Sequence, residues 1–156
     1  ISSSLDSFPI EFFNMKKNHH LVFGEDVLQE IAFDKHHLRL QCEKELKGKL
    51  LQLRQVFLES GGKTKNLIFI IGRSLTAFIS IFRALLYLKG KDVPGEGRNI
   101  ISLVSQEFGV DEHTFLNLLN IKEGAEKQSS KALSSLFENY IREIRKLAYA
   151  VDQLTI

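Results

Sequence analysis

The chain has 156 residues, of which 44% are hydrophobic and 26% are charged, a composition typical of a globular domain with one core and unlike that of disordered or collagen-like chains. Lysine and arginine exceed aspartate and glutamate by only 21 to 19, so bulk charge does not indicate binding to a polyanion. Cys42 is the only cysteine, which excludes intrachain disulfides and multi-cysteine metal clusters and is compatible with the cytoplasm.

The first 26 residues predict the edge of a β-sheet. Residues 2–6 lack the basic and apolar regions of a secretory signal, and the chain has no initiator methionine, so we expect a piece of a longer protein. Residues 8–13 combine aromatic and β-branched side chains with one early proline, which predicts a short strand. Alternation would place Phe8, Ile10 and Phe12 on one face and Glu11 on the other.

A second short strand is predicted over residues 21–23, before Gly24. Two short strands cannot satisfy their own backbone donors and acceptors. We therefore interpret residues 1–26 as a strand remnant and linker from a sheet that lies outside the chain, and residues 27–156 as a helical domain.

The remainder of the chain has apolar residues at helical spacing. Asp34 can cap the first of these helices, and Gly61 and Gly62 can end it. The predicted helices cover residues 35–59, 64–88, 99–108, 111–120 and 130–154. The prediction is a mainly α fold, an up-down helical bundle of three long and two short helices with the short N-terminal strand remnant.

The helix predicted over residues 64–88 is long enough to span a membrane, but it contains two arginines. Its polar residues recur at spacings of three and four, in one narrow stripe on an apolar cylinder: Arg73, Thr76, Ser80, Arg83 and Tyr87. This pattern indicates the central helix of a water-soluble bundle with one face open to solvent or to a cleft, so no membrane association is expected.

The polar stripe supplies candidate binding residues. Arg73 and Arg83 are ten residues apart, about 15 Å along a helix axis, and could line a groove for an anionic ligand. We take Arg73, Arg83 and Tyr87 as candidate substrate-binding residues. The alternative is that the stripe is simply the hydrated face of the helix.

Two histidine pairs, His19-His20 and His36-His37, invite a metal hypothesis. Adjacent side chains diverge on both strands and helices, so neither pair can chelate by itself, and no metal site is predicted. Cys42 lies on the apolar stripe of its helix, which predicts a buried, inert thiol.

The distribution of charged residues also indicates whether the chain binds nucleic acid. Residues 35–65 carry eight lysines or arginines against three glutamates, as a solvated helix face commonly does. Residues 99–120 have the spacing of a helix-turn-helix, but Glu107, Asp111 and Glu112 have the wrong sign for a helix beside phosphates. No direct reading of DNA is expected.

Three segments carry a family resemblance: Phe-Pro-Ile-Glu-Phe at 8–12, His-Leu-Val-Phe-Gly-Glu-Asp at 20–26 and Leu-Arg-Leu-Gln-Cys-Glu-Lys-Glu-Leu at 38–46. Their order resembles the passage from the catalytic domain to the C-terminal helical domain in bacterial nucleotidyltransferases of the polymerase-β superfamily, the kanamycin-nucleotidyltransferase-like group. The rest of the chain is similar in being a bundle of long helices, a shape shared with HEPN-like domains.

In that family a Gly-Ser motif, two carboxylates on one strand and a third on a neighbouring strand hold Mg²⁺ and activate the acceptor. The resemblance places Glu11 at the third position, as the candidate catalytic residue. The Gly-Ser motif and the first two carboxylates are missing from this chain, and one carboxylate does not build a site for Mg²⁺-dependent phosphoryl transfer. The resemblance thus implies Mg²⁺ and a nucleoside triphosphate for the longer protein, and no cofactor for this chain alone.

The resemblance implies a C-terminal substrate-side or dimerisation domain that is not catalytically complete alone. An alternative is a stand-alone helical interaction module that pairs with a separate partner protein. A third is a small-molecule-binding regulator that uses Arg73 and Arg83. A homodimer is expected, because another copy, in place of the nucleotidyltransferase domain, could cover the strand at residues 8–13.

Overall fold

The structure is a computed structural model that describes residues 8–19, 23, 25–26, 28, 31–125 and 127–156. These residues are mainly helical and form six helices and no strand. The helices are α1 (Pro9–Asn18), α2 (Lys35–Ser60), α3 (Thr64–Leu88), α4 (Gly97–Phe108), α5 (Glu112–Lys122) and α6 (Ser130–Asp152).

The ends of α2 follow from local chemistry. The Asp34 carboxylate accepts a hydrogen bond from the backbone N–H of His37 at 2.9 Å, as an N-cap does. Gly61 ends the helix with φ of +58°, a conformation that glycine adopts without steric cost. The helix predicted over residues 35–59 is therefore confirmed, with Ser60 added at its end.

Helix α3 is the centre of the fold, because it packs against all five other helices. Ten of its side chains are buried: Leu67, Ile71, Leu75, Phe78, Ile81, Phe82, Ala84, Leu85, Leu86 and Leu88. By length and composition it is the one helix among the described residues that could also cross a membrane, a test that core helices of water-soluble proteins pass as well.

Helices α4 to α6 complete the core. Asp111 caps α5 through the backbone N–H of Thr114, and Ser129 caps α6 through that of Ala132. The long α6 packs on α2, α3 and α5, while α4 and α5 pack on each other and on α3. The helices predicted over residues 99–108, 111–120 and 130–154 are present, with ends that differ by two residues at most.

The strand predicted over residues 8–13 is wrong, because the chain forms helix α1 there. The first helical bond runs from the N–H of Phe12 to the carbonyl of Phe8, at 3.2 Å. Ile10 and Phe13, which are three residues apart, are both buried, whereas Phe8 is exposed. Strand alternation would have grouped Phe8 with Ile10 instead.

Three physical reasons favour the helix. Pro9 stands in the first helical turn, where its missing N–H costs nothing. Glu11 in the first turn and Lys16 and Lys17 in the last turn complement the helix dipole. A helix also satisfies its backbone groups internally, whereas a strand needs a neighbour that the described residues do not provide.

Helix α1 is attached to the bundle by an aromatic cluster and an amide bridge. The Phe13 ring lies 5.7 Å from that of Phe33 and 5.0 Å from that of Tyr87. The backbone N–H of Ile10 donates to the side-chain oxygen of Gln41 on α2 at 2.9 Å. The second predicted strand, residues 21–23, lies outside the described residues except for Phe23, and the division at residue 26 stays a prediction.

We predict that Phe13→Ala lowers the free energy of unfolding by about 3–5 kcal/mol, because it empties a buried aromatic site. Phe8→Ala, the matched control, should cost less than about 1 kcal/mol, because Phe8 is exposed. Urea denaturation followed by circular dichroism measures both values. A larger loss for Phe8→Ala than for Phe13→Ala would contradict the helical placement.

Candidate functional site

A cavity of about 660 Å³ opens between α1, α2 and α3. It combines an apolar floor with polar and charged side chains. The lining residues are Ile10, Glu11, Asn14, Met15, His19, Glu45, Lys49, Ala77, Ser80 and Ile81. Because its walls come from three helices, this cavity exists only once α1 has packed on the bundle.

Glu11 lies at the edge of this cavity, where Gln41 holds both the helix and the carboxylate. The Gln41 amide nitrogen donates to a Glu11 carboxylate oxygen at 3.1 Å, while its amide oxygen accepts from the backbone of Ile10. Glu11 is exposed and belongs to the lining of the cavity. Glu11 is therefore positioned by one neutral hydrogen bond and stays accessible to a ligand.

A second carboxylate of the cavity, that of Glu45, comes from α2. Glu45 pairs with Lys49 one turn later on α2, at 3.1 Å. Asn14, on the floor, donates from its side chain to the backbone carbonyls of Ile10 and Ser80. The arrangement suits a small ligand with an apolar body and hydroxyl or amine groups at its edge.

His19 follows α1 and forms two hydrogen bonds that determine its protonation. One ring nitrogen lies 2.9 Å from the backbone oxygen of Lys16, and the other lies 2.8 Å from the Asp26 carboxylate. Both partners are acceptors, so a ring that serves both must carry two protons. The Asp26 hydrogen bond is the main cause of a pKa for His19 above 6.5.

The structure does not bring the predicted binding residues together. Arg73 lies over the Phe69 ring at 5.7 Å, in a separate groove of about 470 Å³ between α2 and α3. Tyr87 packs in the aromatic cluster with Phe13, and Arg83 lines another cavity of about 510 Å³. Arg73, Arg83 and Tyr87 therefore lie in three different surroundings along α3.

The sequence reasoning missed the roles of Gln41, Asn14 and the Glu45–Lys49 pair. Gln41 lies inside a segment of the family resemblance, but no spacing rule connects it to Glu11, which is 30 residues away. The Glu45–Lys49 pair does have a local signal, since opposite charges four residues apart meet on one helix face.

Cys42 is buried, as the apolar stripe predicts. Burial raises the pKa of its thiol, so the reactive thiolate is strongly disfavoured at neutral pH. The described residues contain no group of three or more histidine, cysteine, aspartate or glutamate side chains that could hold a metal ion.

Comparison of the chain with models of protein families, with curated proteins and with solved structures finds no match.

We predict that the His19 pKa, measured by NMR titration of the ring and assigned with His19→Gln, lies above 6.5. Asp26→Asn should lower it towards 6.5, because an amide does not favour the imidazolium. Since the folded pKa is raised, the pair stabilises the fold below pH 6.5 and loses that effect as pH rises through the raised value. An unchanged pKa in Asp26→Asn would show that the pair does not form.

Proposed function

We propose that the chain is the substrate-side helical domain of a nucleotidyltransferase-like protein, and that the cavity between α1, α2 and α3 is its acceptor cleft. The position of Glu11 carries this proposal. Glu11 stands on helix α1 and not on the strand that carries the third carboxylate in the resembling family, so its support is its exposure at a cavity that α2 and α3 also line. A carboxylate at that place can receive a proton from an acceptor hydroxyl or amine bound in the cleft.

The proposal is supported by the cavity between α1, α2 and α3, and not by the strand that the sequence predicts at residues 8–13. Since residues 9–18 are helical, the argument that a strand needs a missing sheet no longer applies. Mg²⁺ and the nucleoside triphosphate would be held by other parts of the longer protein that the resemblance implies. The chain alone contributes Glu11 and the acceptor cleft.

The chemistry of the cleft favours an acceptor that carries an amine. Glu11 and Glu45 border it, and only Glu45 has a lysine partner within ion-pair distance among the described residues. Ile10, Ala77 and Ile81 offer apolar surface for the face of a sugar or another carbon skeleton. A protonated amine near Glu11 would gain a charge-assisted hydrogen bond.

We predict that amino sugars, with glucosamine as the first probe, bind the chain saturably and shift the NMR amide signals of Glu11 and Ala77. Glu11→Gln should weaken binding about three- to tenfold, because it removes the negative charge. Ala77→Phe should abolish binding by filling the cleft. The chain should transfer no nucleotide to glucosamine with Mg²⁺ and labelled ATP.

Glu138→Gln is the matched control, since Glu138 is an exposed glutamate on α6 away from the cleft. Glucose tests the contribution of the amine and should bind more weakly than glucosamine. Equal binding by Glu11→Gln and wild type, or nucleotide transfer above a heat-treated sample, would overturn the proposal.

A second candidate function, a helical interaction module, rests on a different observation. Five exposed apolar side chains lie on α2 and α3: Leu40 (42% exposed), Leu51 (65%), Leu58 (79%), Ile68 (42%) and Phe69 (63%). Apolar groups concentrated on one helical hairpin are typical of an interface. This surface, and not a strand, would support a homodimer or the binding of a partner protein.

We predict that size exclusion with light scattering finds the chain at twice its 17.8 kDa mass, and that a Leu58→Ser, Phe69→Ser double variant is monomeric. The double variant removes apolar surface without touching the core. Tyr149→Ser, on the exposed face of α6, is the control and should stay dimeric. A wild-type monomer at every concentration would contradict the homodimer.

A further inference from the structure

A second cavity, of about 510 Å³, lies where α3 meets the beginning of α4 and the end of α5. It is lined on three sides by basic residues from three different helices: Arg83, Arg98 and Lys122. None of the helices of the proposed acceptor cleft except α3 contributes to it. The two cavities share only Ser80.

Arg83 is half-buried, yet it has no carboxylate partner among the described residues. One terminal nitrogen donates to the backbone carbonyl of Gly95 at 3.1 Å, which holds the guanidinium in place. The Nε atom is covered and bonds to no described acceptor. A guanidinium has five N–H donors, so the terminal N–H groups of Arg83 that do not bond to Gly95 are left for a ligand or solvent.

Arg98 and Lys122 differ in how their charges are balanced. Arg98 is held by Asn120 at 2.6 Å and by Glu123 at 3.0 Å, so its charge is balanced and its position is fixed. Lys122 is exposed and forms no ion pair with a described residue. The uncompensated positive charges at the cavity are thus those of Arg83 and Lys122.

The backbone adds to this positive potential. Gly97 begins α4 at the wall of the cavity, and the side chain of Glu96, its N-cap residue, makes no capping bond. The N–H groups of the first turn consequently have no capping partner, and the dipole of α4 places its positive end there. Glu96 is exposed and is the one acidic side chain of this wall that no described arginine or lysine balances.

We propose that this cavity binds the phosphate group of a small phosphate monoester. Arg83 and Lys122 supply the charge, and the first turn of α4 supplies N–H donors, a combination that suits a compact dianion. Ile79 and Leu119 provide apolar wall for the organic part of the ligand. The cavity volume is that of a small-molecule site, and the net charge of only +2 for the chain argues against a polyanion.

The test titrates ¹⁵N-labelled chain with inorganic phosphate and with phenyl phosphate at constant ionic strength. We expect saturable shifts of the Gly97 and Arg98 amides and of the Arg83 Nε–H signal. Phenyl phosphate should bind more tightly than inorganic phosphate, because its ring can contact Ile79 and Leu119. Equal affinities would overturn the placement of the organic part.

Three variants distinguish binding at this cavity from nonspecific electrostatic attraction. Arg83→Gln should weaken phenyl phosphate binding about tenfold or more, and Lys122→Gln about threefold. Arg145→Gln, which removes an exposed arginine of α6, should change it by less than about twofold. If Arg83→Gln unfolds, Lys122→Gln decides, because Lys122 is exposed.

Shifts that are linear in phosphate, or that sodium chloride reproduces, would overturn the site. The same holds if Arg145→Gln weakens binding as much as Lys122→Gln does. Neither result depends on the proposed acceptor cleft. Ala77 lines that cleft and not this cavity, so Ala77→Phe fills the cleft and leaves the lining of this cavity intact.

Discussion

Burial of α3 is the interaction on which the rest of the structure depends. Every other helix packs against it, and side chains such as Leu75 and Phe78 are completely buried. Each buried side chain of this size stabilises the fold by about 1.5–3 kcal/mol relative to exposure. The Phe82 ring of this helix meets that of Phe115 edge to face, and Phe115 meets Tyr140 in the same way, a preferred aromatic geometry.

The same helix supplies one wall of each cavity, because its polar stripe is never fully covered. Ala77 lines both the proposed acceptor cleft and the groove that contains Arg73, while Ser80 lines that proposed cleft and the cavity of Arg83. Small side chains at these two places leave room beside α3. The neighbouring helices then supply the remaining charged side chains of each cavity, such as Glu11 and Glu45 from α1 and α2, and Arg98 and Lys122 from α4 and α5.

Helix α1 shows how packing decides a segment whose local signals conflict. Phe8, Ile10, Phe12 and Phe13 are residues that favour strands, yet the segment is helical. Pro9 tolerates either state, and the three-residue spacing of Ile10 and Phe13 lets a helix bury both. Because α1 forms one wall of the cavity between α1, α2 and α3, this local choice also places Glu11 at that cavity.

The sequence by itself determined the helices from residue 34 onward, because their signals are local. Three helices begin at a capping side chain, that of Asp34, Asp111 or Ser129. The spacing of apolar residues over two helical turns is enough to predict the buried face of a helix. Much less of the candidate site was predictable. Glu11 was chosen as a candidate only by resemblance, and Arg83 was grouped with Arg73 and Tyr87, which the structure places in other surroundings.

Only the tertiary structure decided which side chains share a cavity. Gln41 reaches Glu11 across 30 residues of chain, and Arg83 and Lys122 line one cavity because α5 packs on α3. Helical periodicity predicts which face a residue occupies but not which neighbour covers that face. The neighbour is chosen by the packing of whole helices, whose energy is spread over many contacts far apart in sequence.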